Sequence, residues 1–200
     1  MIDAPFRAHL PRFVKPLIWI YQKLGLTPNA ITLMALALAG GAAALCAIGS
    51  LWWALAFWWF GRLLDGTDGI YARETGQATP FGAYLDIVAD MGAYSIMIVG
   101  FAVFRPELSL HWLLIVLLYV LCITSALAFG AMEVSLKVPV SDNRGLRLGA
   151  GLAEGGETGI AYTVFLLFPE HLSWTTKIWI GILVVTVVSR SLIAKRMSQS

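Results

Sequence analysis

Four aspartates, Asp65, Asp68, Asp86 and Asp90, stand out in a chain that otherwise carries little charge. The first two are three residues apart and the last two are four apart, so on two helices each pair shares one face. If those faces meet, four carboxylates lie in one small volume, where they cannot all stay ionised without cations. Oxygen ligands of this kind favour Mg²⁺, Mn²⁺ or Ca²⁺, and the segment has no Cys or His for zinc. The spacing therefore predicts a divalent metal site, a common device for displacement at phosphorus.

Small residues accompany the carboxylates. Gly66, Gly69 and Ala72 follow Asp65, and Gly82 stands four residues before Asp86. In a membrane helix such residues serve close helix packing. They also leave room for a nucleotide beside the carboxylates, and both interpretations stay open on spacing alone.

The composition places this polar run in a membrane protein. Of 200 residues, 58% are hydrophobic and only 13% are charged, too few for the surface of a soluble domain of this size. Several apolar stretches reach the ~20 residues needed to cross a bilayer. The formal net charge of +2 is too small to indicate a nucleic-acid partner. We therefore predict an all-α membrane protein and no nucleic-acid binding.

The apolar stretches divide the chain into an N-terminal amphipathic helix (1–26) and a domain of six transmembrane helices (27–200). The expected spans are about 29–48, 51–65, 79–104, 111–136, 148–168 and 174–194. Thr27-Pro28 and Thr79-Pro80 each supply a helix cap followed by proline.

The N-terminal helix is expected to lie on the membrane surface. Its apolar residues recur at helical spacing, with basic residues mostly between them; they are Phe6, Leu10, Phe13, Val14, Leu17, Ile18, Tyr21 and Leu24. Pro11 and Pro16 predict that this helix is kinked or begins late.

The basic residues predict the orientation. With six spans, both termini and the loops 2–3 and 4–5 share one side, which collects twelve of the fourteen Lys and Arg residues. Because such residues favour the cytoplasm, both termini and the aspartates are expected on the cytoplasmic side. The short loops fit a bacterial inner membrane.

The aspartate segment resembles the signature of the CDP-alcohol phosphatidyltransferase family. The family pattern is D-x2-D-G-x2-A-R-x8-G-x3-D-x3-D, and all eight fixed positions agree with the segment from Asp65 to Asp90. The resemblance implies a transferase that cleaves a CDP-linked lipid, most simply CDP-diacylglycerol, and passes the phosphatidyl group to a small alcohol with release of CMP. It also implies phospholipid biosynthesis in a membrane and a homodimer.

The resemblance assigns roles to individual residues. Asp65, Asp68 and Asp86 would hold two divalent ions, Mg²⁺ or Mn²⁺, with Ca²⁺ as an inhibitor or substitute. Asp90 would border the metals, as a fourth candidate ligand, and accept the proton of the acceptor hydroxyl. The nucleotide pocket would be formed by Gly69, Ala72, Arg73 and Gly82, with Asn29 as a further candidate, since Thr27-Pro28-Asn29 with Thr32 resembles the start of the family's first span.

The acceptor is left open by the sequence. Arg144, Arg147 and Arg190 are candidates for binding a phosphorylated acceptor such as inositol phosphate or glycerol 3-phosphate, and Glu157 for orienting a hydroxyl or amine; serine is another candidate acceptor. The same arginines also fit a purely topological role. A CDP-aminoalcohol:diacylglycerol phosphotransferase, with the roles of donor and acceptor reversed, is an alternative. A cation transporter is a second alternative, because intramembrane carboxylates often line ion paths.

Overall fold

The computed structural model describes residues 14–136 and 155–198, and all regular structure within these ranges is helical. Helix α1 covers residues 14–23. It is followed by α2 (Pro28–Ala47), α3 (Leu51–Glu74), α4 (Pro80–Phe104), α5 (Ser109–Ser135), α6 (Gly155–Leu167) and α7 (Leu172–Met197), with short 3-10 turns at Pro106–Leu108 and Pro169–His171. The all-helical class is confirmed.

Four helical segments in the described residues are long and apolar enough to cross a membrane: Pro28–Ala47, Pro80–Phe104, Pro106–Ser135 and Pro169–Met197. They match the predicted first, third, fourth and sixth spans. Helix α3 is 24 residues long, but it is rich in tryptophan and carries charges in its second half. Helix α6 is described over 13 residues, and the predicted start of the fifth span at residue 148 lies outside the described ranges. The described residues thus hold four candidate membrane spans, and the count of six remains a prediction.

The chain divides into two compact units, Met1–Pro106 and Glu107–Ser200. In the first unit α2 packs against both α3 and α4. Its buried seam consists mainly of small residues spaced by three or four positions, including Ala35, Ala39, Ala42 and Ala43. Gly61 on α3 and Gly100 on α4 meet this seam: a Cβ on Gly100 would lie 2.5 Å from the carbonyl oxygen of Ala43. Backbones that approach this closely let α2 hold α3 and α4 by van der Waals packing.

Helix α1 packs its apolar stripe into the first unit. Val14, Ile18 and Tyr21 are buried in one cluster with Ile31 of α2 and Leu64 of α3. The periodicity thus identified the buried face of α1, but this face contacts protein instead of the membrane surface. The opposite side exposes other large side chains: Trp19 is 60% exposed and the Lys23 ammonium lies 4.9 Å from its ring centroid. If α1 lies at the membrane surface, as predicted, the face that carries Trp19 and Lys23 is the one available to contact it.

Helix α3 ends at a glycine in the left-handed conformation. Gly76 has φ 68°, its N–H donates to the Arg73 carbonyl at 3.3 Å, and the Gln77 N–H donates to the Ala72 carbonyl at 2.8 Å. This is the Schellman arrangement, in which glycine avoids the steric cost that a Cβ would bring. It fixes where the aspartate-bearing helix stops before α4 begins at the capping residue Thr79.

In the second unit α5 and α6 each pack against α7. Trp112, Ile115, Phe165 and Leu183 are buried there. Polar side chains inside the unit are paired across helices, as when Trp179 donates its indole N–H to the Tyr119 hydroxyl at 3.0 Å. Unpaired polar groups are costly in a bilayer, so such bonds are the expected way to bury them.

Candidate active site

Three of the four aspartates converge where α3 and α4 face each other. Carboxylate oxygens of Asp65, Asp68 and Asp86 all lie within 4.8 Å of one another. The predicted meeting of two carboxylate faces is therefore what the structure contains. Asp90, one turn further along α4, lies outside this group and is bonded elsewhere.

The three-carboxylate group fits a divalent cation. Its donors are carboxylate oxygens, the ligands preferred by Mg²⁺ and Mn²⁺, and Asp68 is 4% exposed, so water alone cannot screen its charge. The group Asp65, Asp68 and Asp86 is therefore a candidate metal centre on the chemistry of its donors.

Arg62 brings a guanidinium into this site from one turn earlier on α3. Its Nη1 donates to Asp90 Oδ1 at 2.6 Å and to Asp65 Oδ2 at 3.2 Å. A single nitrogen therefore links one member of the three-carboxylate group to the fourth aspartate. One positive charge facing four carboxylates leaves the site strongly negative, which favours added cations.

Two aromatic rings hold the Arg62 guanidinium in place. Its central carbon lies 4.9 Å from the ring centroid of Trp58 and 5.3 Å from that of Tyr94. Both rings are buried, and the Arg62 side chain is only 9% exposed. Cation–π contacts of a desolvated guanidinium are worth ~2 kcal/mol. The side chain is thus fixed both by charge and by stacking.

Helix α2 contributes two polar side chains from its first turns. The Thr32 hydroxyl, which is buried, donates to Asp68 Oδ2. Asn29 Oδ1 lies 3.3 Å from the position that a Cβ on Gly82 would occupy. Asn29 and Gly82, two of the predicted nucleotide-pocket residues, are therefore neighbours.

The other predicted nucleotide residues lie together on α3. The guanidinium of Arg73, an exposed residue, covers Gly69, with Nη1 3.3 Å from the site of a Cβ there. Ala72 is half-buried on the same helix. Arg73 thus has a free path to solvent and to an approaching phosphate, and its role there remains a prediction.

Helix α1 is bonded to the aspartate helix. The Tyr21 hydroxyl lies 2.9 Å from Thr67 Oγ1, and Thr67 donates its own hydrogen to the Leu64 carbonyl at 2.8 Å. Tyr21 is therefore the donor in their bond. Thr67 stands directly before Asp68, so this bond ties α1 to the backbone that carries the metal-site carboxylates.

The predicted site residues do not include Arg62 or Tyr94. From sequence, Arg62 is one of two cations near the carboxylates, with Arg73, and one of the basic residues on the cytoplasmic side, but it has no assigned contact; Tyr94 is an ordinary position of an apolar span. A signal existed for each: Arg62 precedes Asp65 by three residues, and Tyr94 continues the stripe of Gly82, Asp86 and Asp90 by four. Extending both helical faces by one turn would have found them.

Two of the acceptor candidates, Arg190 and Glu157, lie in the second unit. Arg190 on α7 is buried, and its Nη1 donates to the Cys122 carbonyl at 2.6 Å and to Ser125 Oγ at 2.9 Å on α5. Glu157 lies in the first turn of α6. Arg144 and Arg147 lie outside the described residues. The acceptor roles of all four remain predictions.

Over 204 aligned residues the chain is 31% identical to the inner membrane protein YnjF of Escherichia coli (strain K12), covering 91% of this chain and 98% of that protein. It is 41% identical to the phosphatidylinositol phosphate synthase of Mycobacterium marinum, but over 45% of this chain and 40% of the relative.

Solved structures show the same fold. The phosphatidylinositol phosphate synthase of Mycobacterium tuberculosis, crystallised with CDP-DAG bound, superposes with a TM-score of 0.68 at 24% identity over 92% of this chain and 94% of that chain. Its complex with manganese and citrate gives a TM-score of 0.62 at 23% identity, over 90% of this chain and 87% of that chain.

The family model of the CDP-alcohol phosphatidyltransferases matches residues 25–189, which include α2 to α6 and most of α7. That match takes in every residue of the motif, and it sets the cation-transporter alternative aside. The chain belongs to the CDP-alcohol phosphatidyltransferase family, and it is a membrane-embedded transferase.

Proposed function

We propose that this protein transfers the phosphatidyl group of CDP-diacylglycerol to a small polar alcohol and releases CMP. The observation that carries the proposal is the convergence of Asp65, Asp68 and Asp86 within 4.8 Å, with Asp90 on the same face of α4. A relative of the same fold has CDP-DAG bound in its crystal structure, which supports this donor.

In the proposed reaction each group of the site has a separate task. Asp65, Asp68 and Asp86 hold two divalent ions, for which a manganese complex of a relative gives support. When bound, these ions offset negative charge on the pyrophosphate as CMP leaves. Asp90 accepts the proton of the acceptor hydroxyl, because an alcohol is a poor nucleophile at neutral pH.

The nucleotide binds beside these carboxylates in the proposal. Gly69, Ala72 and Gly82 leave the space, Arg73 contacts phosphate, and Asn29 reaches the base or ribose from α2. The closeness of Asn29 to Gly82, and of Arg73 to Gly69, supports a pocket with two walls. The absence of a Cβ at Gly82 keeps Asn29 accessible.

The proposed location is a bacterial inner membrane, with both termini and the site on the cytoplasmic side. The twelve basic residues that the six-span arrangement places on one side support this orientation. A relative named as an inner membrane protein supports the compartment. Lipid tails then stay in the bilayer while CMP leaves to the cytoplasm.

The acceptor is proposed at the level of a small alcohol. In sequence, the phosphatidylinositol phosphate synthase of Mycobacterium marinum aligns with less than half of this chain, so inositol phosphate is one acceptor among several to test. Arg144, Arg147, Arg190 and Glu157 are the proposed acceptor-binding residues. The proposal also includes a homodimer, as the family resemblance implies.

The test is release of CMP by the purified protein in mixed micelles. CDP-diacylglycerol is supplied with Mn²⁺ or Mg²⁺ and, in turn, inositol phosphate, glycerol 3-phosphate, serine and inositol. We expect metal-dependent CMP release that rises with one acceptor, and a new phospholipid of matching mass. CDP-ethanolamine with diacylglycerol is run in parallel to test the reversed direction.

The matched variants are Asp68→Asn and Glu170→Gln. Glu170 is exposed in the turn Pro169–His171 and is not part of the motif, so its loss of charge should leave activity unchanged. Asp68→Asn should remove metal-dependent release. CMP release that no acceptor increases would mean hydrolysis and would overturn the transferase proposal.

A further inference from the structure

Asp90 differs from the other three aspartates in what it touches. Asp65, Asp68 and Asp86 form the group within 4.8 Å, whereas Asp90 accepts a hydrogen bond from Arg62 at 2.6 Å. A carboxylate at this point of the stripe is close enough to compete as a metal ligand, since it follows Asp86 by one helical turn. A neighbouring group must therefore determine whether Asp90 binds the metal or stays outside the three-carboxylate group.

The contacts of Arg62 make it suited to hold Asp90 in a fixed position. Its guanidinium packs against the rings of Trp58 and Tyr94, whose centroids are 6.2 Å apart, and its Nη1 is aimed at Asp90, Asp65 and, at 3.4 Å, the Tyr94 hydroxyl. A planar guanidinium packed against two buried rings and bonded to a carboxylate has less freedom to turn away than a lysine ammonium on a flexible stem. The short bond to Asp90 is also charge-assisted, the stronger class of hydrogen bond.

We propose that Arg62 is a positioning residue that holds Asp90 out of the metal-binding group, so that three aspartates ligate and the fourth stays free to act as base. The role of Asp90 as a base rests on the proposed function. The separation of Asp90 from the other three carboxylates rests on the geometry alone. It assigns to the site a residue that lies three positions outside the motif.

The proposal predicts that removal of the guanidinium strengthens metal binding and weakens catalysis. In Arg62→Met, Asp90 loses its partner and becomes available to a cation in the three-carboxylate group. Mn²⁺ should then bind at least about threefold more tightly, while kcat falls at least about tenfold because the base is occupied. Arg62→Lys keeps the charge and should recover part of kcat.

A double-mutant cycle on metal binding separates this mechanism from simple loss of a positive charge. Free Mn²⁺ is measured by electron paramagnetic resonance with wild type, Arg62→Met, Asp90→Asn and the double variant, without any substrate. If Arg62→Met acts only by removing a positive charge, it should tighten Mn²⁺ binding by the same factor whether residue 90 is aspartate or asparagine. If Arg62 acts by positioning Asp90, the factor by which Arg62→Met tightens Mn²⁺ binding should be at least about threefold smaller when residue 90 is asparagine.

Arg105→Met serves as the control, because Arg105 also stacks on an aromatic ring, that of Phe104, at the other end of α4. It should leave Mn²⁺ affinity unchanged. If Arg62→Met does not fold, the cycle is run with Arg62→Gln, whose amide keeps a weaker bond to Asp90 and should give a smaller shift of the same sign.

The outcomes are distinguishable. Equal shifts in the two backgrounds, weaker Mn²⁺ binding in Arg62→Met, or a kcat at the wild-type level would each overturn the role of Arg62. Wild-type protein that binds no Mn²⁺ would overturn the metal assignment within the proposed function. A cycle that shows coupling in a protein without transferase activity would leave the positioning role standing and remove the proposed reaction.

Discussion

Thr32 on α2 donates its hydroxyl hydrogen to the carboxylate of Asp68 on α3, and both residues are buried. The hydroxyl has one hydrogen, and its other close acceptor, the Pro28 carbonyl, is 3.2 Å away and uncharged. A carboxylate is the stronger acceptor, so the hydrogen belongs to Asp68. The bond therefore connects α2 to α3 directly at a carboxylate oxygen of the candidate metal site.

Thr32→Val should therefore weaken the site with little change in shape. A hydrogen bond to a charged group contributes ~1.5–3 kcal/mol, so kcat/KM should fall roughly 10- to 100-fold. Thr32→Ser keeps the hydroxyl and should stay within about threefold of wild type. The matched control is Thr186→Val on α7, where an equally buried threonine bonds only to its own helix carbonyl at 2.9 Å. Equal loss in both valine variants would contradict a specific role of Thr32.

The gathering of the aspartates was predictable from sequence because it depends on local geometry. Residues three or four apart on a helix must share a face, and two faces of carboxylates in an apolar chain have few partners except each other and a cation. Asp65, Asp68 and Asp86 meet as this reasoning requires.

The contacts of Arg62 and the environment of α1 were not predictable in this way. Periodicity states which residues share a face, but it does not state whether the face meets protein, lipid or water. Val14, Ile18 and Tyr21 do share one face of α1, but that face packs against α2 and α3. The sequence shows that Arg62 is a cation near the carboxylates, but its ion pair with Asp90 joins residues 28 positions apart on different helices.

Tyr21→Phe tests whether the bond from α1 to Thr67 stabilises the first unit. Loss of one buried hydrogen bond should lower the free energy of unfolding by ~0.5–1.5 kcal/mol, read as a lower thermal midpoint in detergent. Tyr84→Phe is the control, since Tyr84 is 58% exposed. Unchanged stability in Tyr21→Phe would mean that packing alone holds α1.

The same tyrosine predicts a dependence on pH. Burial raises the pKa of Tyr21 above its ordinary value of 10.0, and the charge of Asp68 adds to the rise, although the bond to Thr67 lowers it. A raised pKa in the folded state means that the stabilisation is complete below pH 10.0 and is lost as the pH rises through the folded value. Wild type should therefore lose more stability than Tyr21→Phe in unfolding measurements above that pH. Parallel curves would contradict this.

Gly82→Ala probes the proposed nucleotide pocket. A Cβ there would lie 3.2 Å from Thr79 Oγ1 and 3.3 Å from Asn29 Oδ1, so one of these side chains must shift. We expect KM for CDP-diacylglycerol to rise about tenfold, within the usual cost of overpacking. Gly40→Ala on α2 is the control, because its added Cβ would meet Ile96 Cδ1 at 3.8 Å, an ordinary van der Waals contact. A KM unchanged by Gly82→Ala would place the nucleotide elsewhere.

Gly100→Ala tests the close approach of α4 to α2. The added carbon would lie 2.5 Å from the oxygen and 2.8 Å from the Cα of Ala43, both backbone atoms that cannot turn aside. The helices must separate, which should lower the free energy of unfolding by ~1–3 kcal/mol. In Gly181→Ala on α7 the new carbon meets nothing within 4 Å, so helix propensity should leave stability unchanged or raise it by up to ~1 kcal/mol. Similar losses in both would contradict the packing argument.

Asp90→Asn separates chemistry from binding. The amide keeps the size of the side chain and loses the base, so turnover should fall at least about 100-fold while CDP-diacylglycerol binding, measured with labelled lipid, stays within about threefold. Asp86→Asn provides the contrast, because Asp86 belongs to the three-carboxylate group and its loss should reduce Mn²⁺ affinity as well as turnover. If Asp90→Asn instead loses Mn²⁺ and retains turnover, Asp90 is a ligand, and the division of labour among the four aspartates must be reversed.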